Sequence, residues 1–188
     1  HFLRCREDFR SCNKPNLVKV GFHYTLTKGK YKGTVENIRC CGLRPSNRAY
    51  YGSGIYLGGN PHAFSTYGDT CILVLYIPGT MINLGKLGKL GKSDMHQDAD
   101  SFCGNKLSKR TRFWRQFRPA KTTYFDEIIV QSKIQVLPVF AYPRSAVNNA
   151  DQLHLFHKQV QELVDRTINY AEDYNTSVEA SNTYKGIH

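Results

Sequence analysis

The longest apolar run in the chain, Cys71-Ile-Leu-Val-Leu-Tyr-Ile77, constrains the fold most. A membrane span needs about 18 residues, so a run this short reads as a strand. It is apolar at nearly every position up to Pro78, which predicts burial on both faces rather than alternation. The 188 residues, 40% of them hydrophobic and 12% aromatic, are enough for one folded domain with a proper core. A net charge of +11 points to an anionic partner: nucleic acid, a phosphorylated ligand or an acidic protein.

Around that strand the chain reads in order as follows. Residues 1–16 are polar and basic, with Pro15 as a stop, and form an N-terminal extension. Leu17 to Thr25 is rich in β-formers and reads as a strand. Thr34 to Leu43 reads as a two-turn helix with Thr34 as N-cap and Gly42 as its αL stop. Arg44 to Ala49 has no periodicity and reads as a loop. The six cysteines include no C-x-x-C pair and no zinc-type cluster. Cys40 and Cys41 read as buried thiols and Cys71 as core, while Cys5 and Cys12 would pair only in an oxidising compartment. Reduced thiols and a nuclear or cytoplasmic setting are expected.

The C-terminal half is less regular. Leu84 to Lys92 is a Leu-Gly-Lys repeat too rich in glycine for a stable helix, and Asp94 to Asn105 is polar. Lys106 to Lys121 interleaves Lys and Arg with Phe113, Trp114 and Phe117 and contains no acid. Such a segment suits phosphate backbones and stacked bases, or else packs its rings inward with the charges solvated. Tyr124–Val130 and Ile134–Phe140 read as two strands joined by a tight turn, the first carrying Asp126 and Glu127 at its entrance. Leu153, Phe156, Val160, Leu163, Val164 and Ile168 have helical spacing, so 150–173 reads as an amphipathic helix packed on the domain, with a disordered tail beyond.

The stretch Tyr51 to Gly68 carries the chemistry. Gly52 and Gly54 flank Ser53, Ile55-Tyr56-Leu57 is β-type, and Gly58-Gly59-Asn60-Pro61 turns into a short helical piece ending at Tyr67. A strand, turn and helix of this size can bring Tyr56 and Tyr67 to opposite sides of a flat aromatic ligand. The same rings can equally fill the core of an α+β domain.

Gly52-x-Gly54-Ile55-Tyr56-Leu57, then Tyr67, a Leu/Val strand ending in Pro78-Gly79, and Asp126-Glu127-Ile-Ile-Val followed by Gln135-Val136-Leu137-Pro138 together resemble the catalytic domain of the poly(ADP-ribose) polymerase family, of the diphtheria-toxin-like ADP-ribosyltransferases. His23-Tyr24-Thr25 falls where that family has His-Gly-Thr or His-Gly-Ser. The resemblance covers about 17–142, leaving 143–188 as the C-terminal helix and tail. It implies an α+β, mixed split-sheet ADP-ribosyltransferase core that takes NAD as substrate in the cleft between two half-sheets, with no metal.

In that setting His23 would bond the adenosine ribose with Thr25 in support, and the backbone of Tyr24 would bond the nicotinamide amide. Tyr56 and Tyr67 would sandwich the nicotinamide ring. Gly54 belongs to the same binding wall, and Ser65 lies one register from the family's amide-binding serine. Glu127 would bond the nicotinamide ribose, stabilise its developing positive charge and polarise the acceptor, which makes Glu127, His23 and Tyr56 the expected catalytic set. Two positions depart from the pattern: Tyr24 replaces the glycine, and Phe64 occupies the serine position. The acceptor, an acidic protein or nucleic acid, is expected near Lys106–Lys121, with no membrane partner. The alternatives are a weakly catalytic module of the same fold that binds NAD, ADP-ribose or nucleic acid, and a basic nucleic-acid-binding domain whose tyrosines are core.

Overall fold

The computed structural model describes residues 1–49, 51–59, 61, 67–85, 98–104, 127–147 and 150–169. They form an α+β fold: α1 (Phe2–Ser11), β1 (Lys19–Thr25), α2 (Thr34–Cys41), β2 (Ser46–Ala49), β3 (Gly52–Gly58), β4 (Thr70–Tyr76), β5 (Met81–Gly85), β6 (Ser101–Gly104), β7 (Glu127–Val130), β8 (Val136–Pro143) and α3 (Ala150–Val164). Seven strands run in the order β5-β6-β7-β3-β1-β4-β8, and β2 pairs with β3 beside that path. β5 and β6 are parallel; the other pairs are antiparallel.

The sheet splits between β1 and β3. Their register holds one pair, Phe22 with Gly58, whereas β1 pairs with β4 along its whole length. Val18 N–H donates to Asn169 Oδ1 at 2.9 Å and Val20 N–H to Gln161 Oε1 at 3.0 Å, on the side of β1 away from β4. Backbone groups alternate sides along an antiparallel strand. Phe22 and Tyr24 therefore also turn their N–H and C=O away from β4, and past Phe22 that side faces the split.

The two halves close on a shared core. Ile55, Leu57, Ile128 and Val130 of one half cluster with Ile72, Val74, Tyr76 and Val136 of the other. Gly21 permits this approach, since a Cβ there would lie 3.2 Å from Leu57 and 3.4 Å from Tyr76. On the opposite face Phe2 and Cys5 of α1 and Val164 of α3 pack on Val18, Val20, Phe22, Leu73 and Leu75. Cys71 to Ile77 is buried throughout, as its composition predicts.

Several elements differ from the sequence reading. The N-terminal extension contains α1, whose buried Arg6 donates to the carbonyls of Asn16 and Ile168. Gly33, not Thr34, caps α2, and the Thr34 hydroxyl bonds Tyr31 O instead. Cys40 and Cys41 are exposed, because α2 buries none of its residues. All six cysteines are free thiols. Ser46–Ala49, expected as loop, adds a strand through backbone pairing with β3.

β7 and β8 do not form a hairpin: β7 pairs with β3 and β6, and β8 with β4. Their connection is pinned by buried Gln135, whose Nε2 donates to Ile77 O and Asp100 O and whose Oε1 accepts from Ser132 N–H. The C-terminal helix packs on the domain as expected, but on a narrower apolar stripe flanked by two amides. Val160, Val164 and Ile168 face inward with Gln161 and Asn169, and Phe156 and Leu163 face out. Among the described residues no helix is long and apolar enough to cross a membrane. The Leu-Gly-Lys repeat beyond Gly85 and the basic segment Lys106–Lys121 lie outside the described residues.

Candidate active site

At the break in the ladder two of the expected residues, His23 and Tyr56, touch. With Phe22 opposite Gly58, the next backbone pair would join Tyr24 to Tyr56. Instead the His23 ring reaches across, its Nδ1 2.9 Å from Tyr56 O. A carbonyl only accepts, so Nδ1 carries the proton. Burial, partly offset by that bond, lowers the His23 pKa from the usual 6.5. The imidazole is thus neutral near pH 7, with Nε2 an acceptor.

Tyr24 presents backbone and side chain to different places. Its N–H and C=O face the split, while its ring joins Phe22 and Cys71 in the core and its hydroxyl donates to Pro61 O. Burial, with Cys71 adding to it, holds the phenol far above its usual pKa, so it stays a donor. The Thr25 carbonyl accepts from Asp69 N–H at 3.1 Å.

Tyr56 stands on the same hairpin as Gly54. Its hydroxyl donates to Gly52 O at 2.8 Å and accepts from Tyr51 N–H at 3.1 Å, which fixes the ring against its own strand. Gly54 has φ +149°, and a Cβ there would sit 2.3 Å from Ile129 Cγ2. That glycine is required by the packing of β3 on β7. Tyr67 is 59% exposed, so its ring does not fill the core. Phe64 and Ser65 lie outside the described residues.

Glu127 opens β7 opposite Gly58, which itself faces Phe22. It is only 7% exposed. Strand pairing thus sets a buried carboxyl group one strand from the point where β1 and β3 part. Alternation along β7 puts it on the same face as Ile129 and hence, through the register, as Tyr56.

Sequence reasoning missed the clamp beside these residues. Asp69 Oδ1 accepts from Thr27 N–H at 3.0 Å and Thr27 Oγ1 at 2.9 Å. Burial opposes ionisation there, yet the bonds from Thr27 and Thr70 hold the carboxyl below its ordinary pKa. Arg144 N–H donates to Asp69 O at 2.8 Å. The signal was an acid directly after Gly68 and before a strand, two residues from the second tyrosine.

Among the described residues no cluster of three or more His, Cys, Asp or Glu could hold a metal ion. No protein-family model matches the chain, and no curated protein matches it.

Proposed function

We propose that the chain is an NAD-dependent ADP-ribosyltransferase, which moves ADP-ribose from NAD to a protein or nucleic-acid acceptor and releases nicotinamide. One observation carries the reading: at the break in the sheet, the ring of His23 and the outward backbone of Tyr24, both on β1, stand one strand away, across β3, from the buried carboxyl group of Glu127 on β7.

The roles follow from the groups. A carboxamide has one acceptor and one donor face, complementary to the N–H and C=O of a single extended residue such as Tyr24. The His23 Nε2 accepts a ribose hydroxyl. Tyr56, its phenol fixed, and exposed Tyr67 offer flat faces to the nicotinamide ring. The C1′–N bond of the nicotinamide ribose breaks with its electron pair going to the ring nitrogen, so nicotinamide leaves neutral. The sugar passes through an oxocarbenium-like state, which an ionised Glu127 stabilises more than it does the ground state. The acceptor then bonds C1′ and loses its proton.

A second reading, a binding module of the same architecture, draws on Tyr24 and Phe64 standing where the resembled family has glycine and serine. Turnover separates the two. Nicotinamide release by the wild type and not by Glu127→Gln is expected. NAD binding with no release by either protein would overturn the enzyme reading in favour of the module.

A further inference from the structure

Glu127 has glycine on both sides. In the register of the sheet it lies directly opposite Gly58 of β3 and Gly104 of β6. Directly paired residues point their side chains to the same face, with Cβ atoms about 5 Å apart. A side chain at 104 would therefore be a neighbour of the Glu127 side chain. That place is taken by Tyr51: a Cβ on Gly104 would lie 2.6 Å from its Cζ and 2.8 Å from its Oη. Gly104 does not have the positive φ that favours glycine, so the ring, not the backbone, excludes a side chain there.

Tyr51 is held at both ends. It is fully buried and clusters with Phe102 and Ile129, which pair with each other on the same face as Glu127. Its N–H donates to Tyr56 Oη at 3.1 Å. One residue thus reaches from the tyrosine of β3 to the position beside the carboxyl group of β7. The two sides of Glu127 differ as a result. Gly58 offers no side chain, whereas the phenol stands where a side chain of residue 104 would be.

We propose that Tyr51 is a positioning residue for Glu127: its ring, seated over Gly104, closes the β6 side of the carboxyl group and leaves it the Gly58 side, toward the edge where β1 and β3 part. This rests on the reading of Glu127 as the group that stabilises the oxocarbenium-like state. The ring at 51 and the glycine at 104 form one device, since a change in either alone leaves the space empty or filled twice.

The test is a cycle of Tyr51→Leu, whose side chain ends two bonds short of Cζ, and Gly104→Ala, which pushes the phenol off its seat. Nicotinamide release from NAD is followed below the melting temperature of each variant. Each single substitution should lower kcat about 10- to 100-fold with KM for NAD within about twofold. The double variant, with bulk returned to the same place, should be faster than either single one. Tyr51→Phe, which keeps the ring, should recover most of the rate lost in Tyr51→Leu. Where Tyr51→Leu does not fold, Gly104→Ala and Tyr51→Phe carry the comparison. Single variants that raise KM and spare kcat, or a double variant slower than both, overturn the positioning role. Tyr51→Phe as slow as Tyr51→Leu overturns positioning by the ring. A readout without turnover is the carbon NMR resonance of the Glu127 carboxyl group, assigned by its loss in Glu127→Gln. It should move in Tyr51→Leu and stay in Tyr51→Phe, and no movement in Tyr51→Leu overturns the contact. Absence of nicotinamide release by the wild type overturns the reading of Glu127 as catalytic, while the resonance still decides whether Tyr51 sets its place.

Discussion

The Nδ1 of His23 lies 2.9 Å from the carbonyl oxygen of Tyr56, so a side chain of β1 occupies the acceptor that the strand ladder would have offered to Tyr24 N–H. The pairing of β1 with β3 ends at this point, and the His23 ring takes its place. It also gives stability a pH dependence of definite sign. Burial lowers the folded-state pKa of His23 below its ordinary 6.5. The folded protein then binds fewer protons than the unfolded chain, and stability rises with pH across that window. The contribution is complete above about 6.5 and is lost as pH falls from there through the lowered value. His23→Gln, which can still donate to Tyr56 O, should melt with a flatter dependence on pH in this range than the wild type. Equal slopes for the two proteins would show that the ring is not desolvated in solution.

Glu127→Gln keeps the size of the buried side chain and removes its charge. If the carboxylate acts on the oxocarbenium-like state, nicotinamide release should fall by several orders of magnitude with NAD affinity within a few-fold. Retained transfer would remove Glu127 from the catalytic role.

The two tyrosines should respond differently to truncation. Tyr67 is 59% exposed, so Tyr67→Ala should leave the melting temperature within a few degrees. Nicotinamide binding should weaken roughly tenfold as one ring face is lost. Tyr56→Ala also breaks the bonds from its hydroxyl to Gly52 O and Tyr51 N, so it should cost stability as well as affinity. Equal loss of stability in both variants would mean that Tyr67 is packed in solution.

Much of this architecture was legible in the residues. Cys71–Ile77 is apolar whatever its neighbours, and Gly54-Ile55-Tyr56-Leu57 marks a strand with a close approach, which proved to be Ile129. The β-rich runs around His23, Tyr56 and Glu127 marked three strands, β1, β3 and β7. The elements that escaped depend on distant partners. α1 buries a charged residue, Arg6, because the carbonyls of Asn16 and Ile168 meet its guanidinium. β2, Ser-Asn-Arg-Ala, has no strand-forming side chains and is held by pairing with β3. Ser101 to Gly104, read as part of the polar stretch Asp94–Asn105, is a short buried strand between β5 and β7. The inward stripe of α3 was read too wide because periodicity weighs apolar residues alone: Val160, Val164 and Ile168 pack inward, but Gln161 and Asn169 share the side that faces β1.

Those amides give the last prediction. Asn169, buried beyond the end of α3, accepts from Val18 N–H at 2.9 Å and donates to Val18 O at 3.0 Å, as a neighbouring strand would. The same Nδ2 donates to Asp165 Oδ1 at 2.7 Å, and Gln161 Nε2 reaches the same carboxylate at 3.0 Å. Val18 is fully buried, so Asn169→Ala leaves its N–H without its partner, weakens what its carbonyl receives and should cost about 2–4 kcal/mol. Asn169→Asp retains the acceptor for Val18 N–H, but it turns a donor into a second oxygen facing both Val18 O and the Asp165 carboxylate. It should therefore destabilise at least as much as alanine at neutral pH, and recover in part on acidification as one of the two carboxyls takes up a proton. Denaturant melts of the two variants at neutral and mildly acidic pH measure this. An aspartate variant as stable as the wild type at neutral pH would show that the amide does not donate to Val18 O, and that β1 is capped there by some other group.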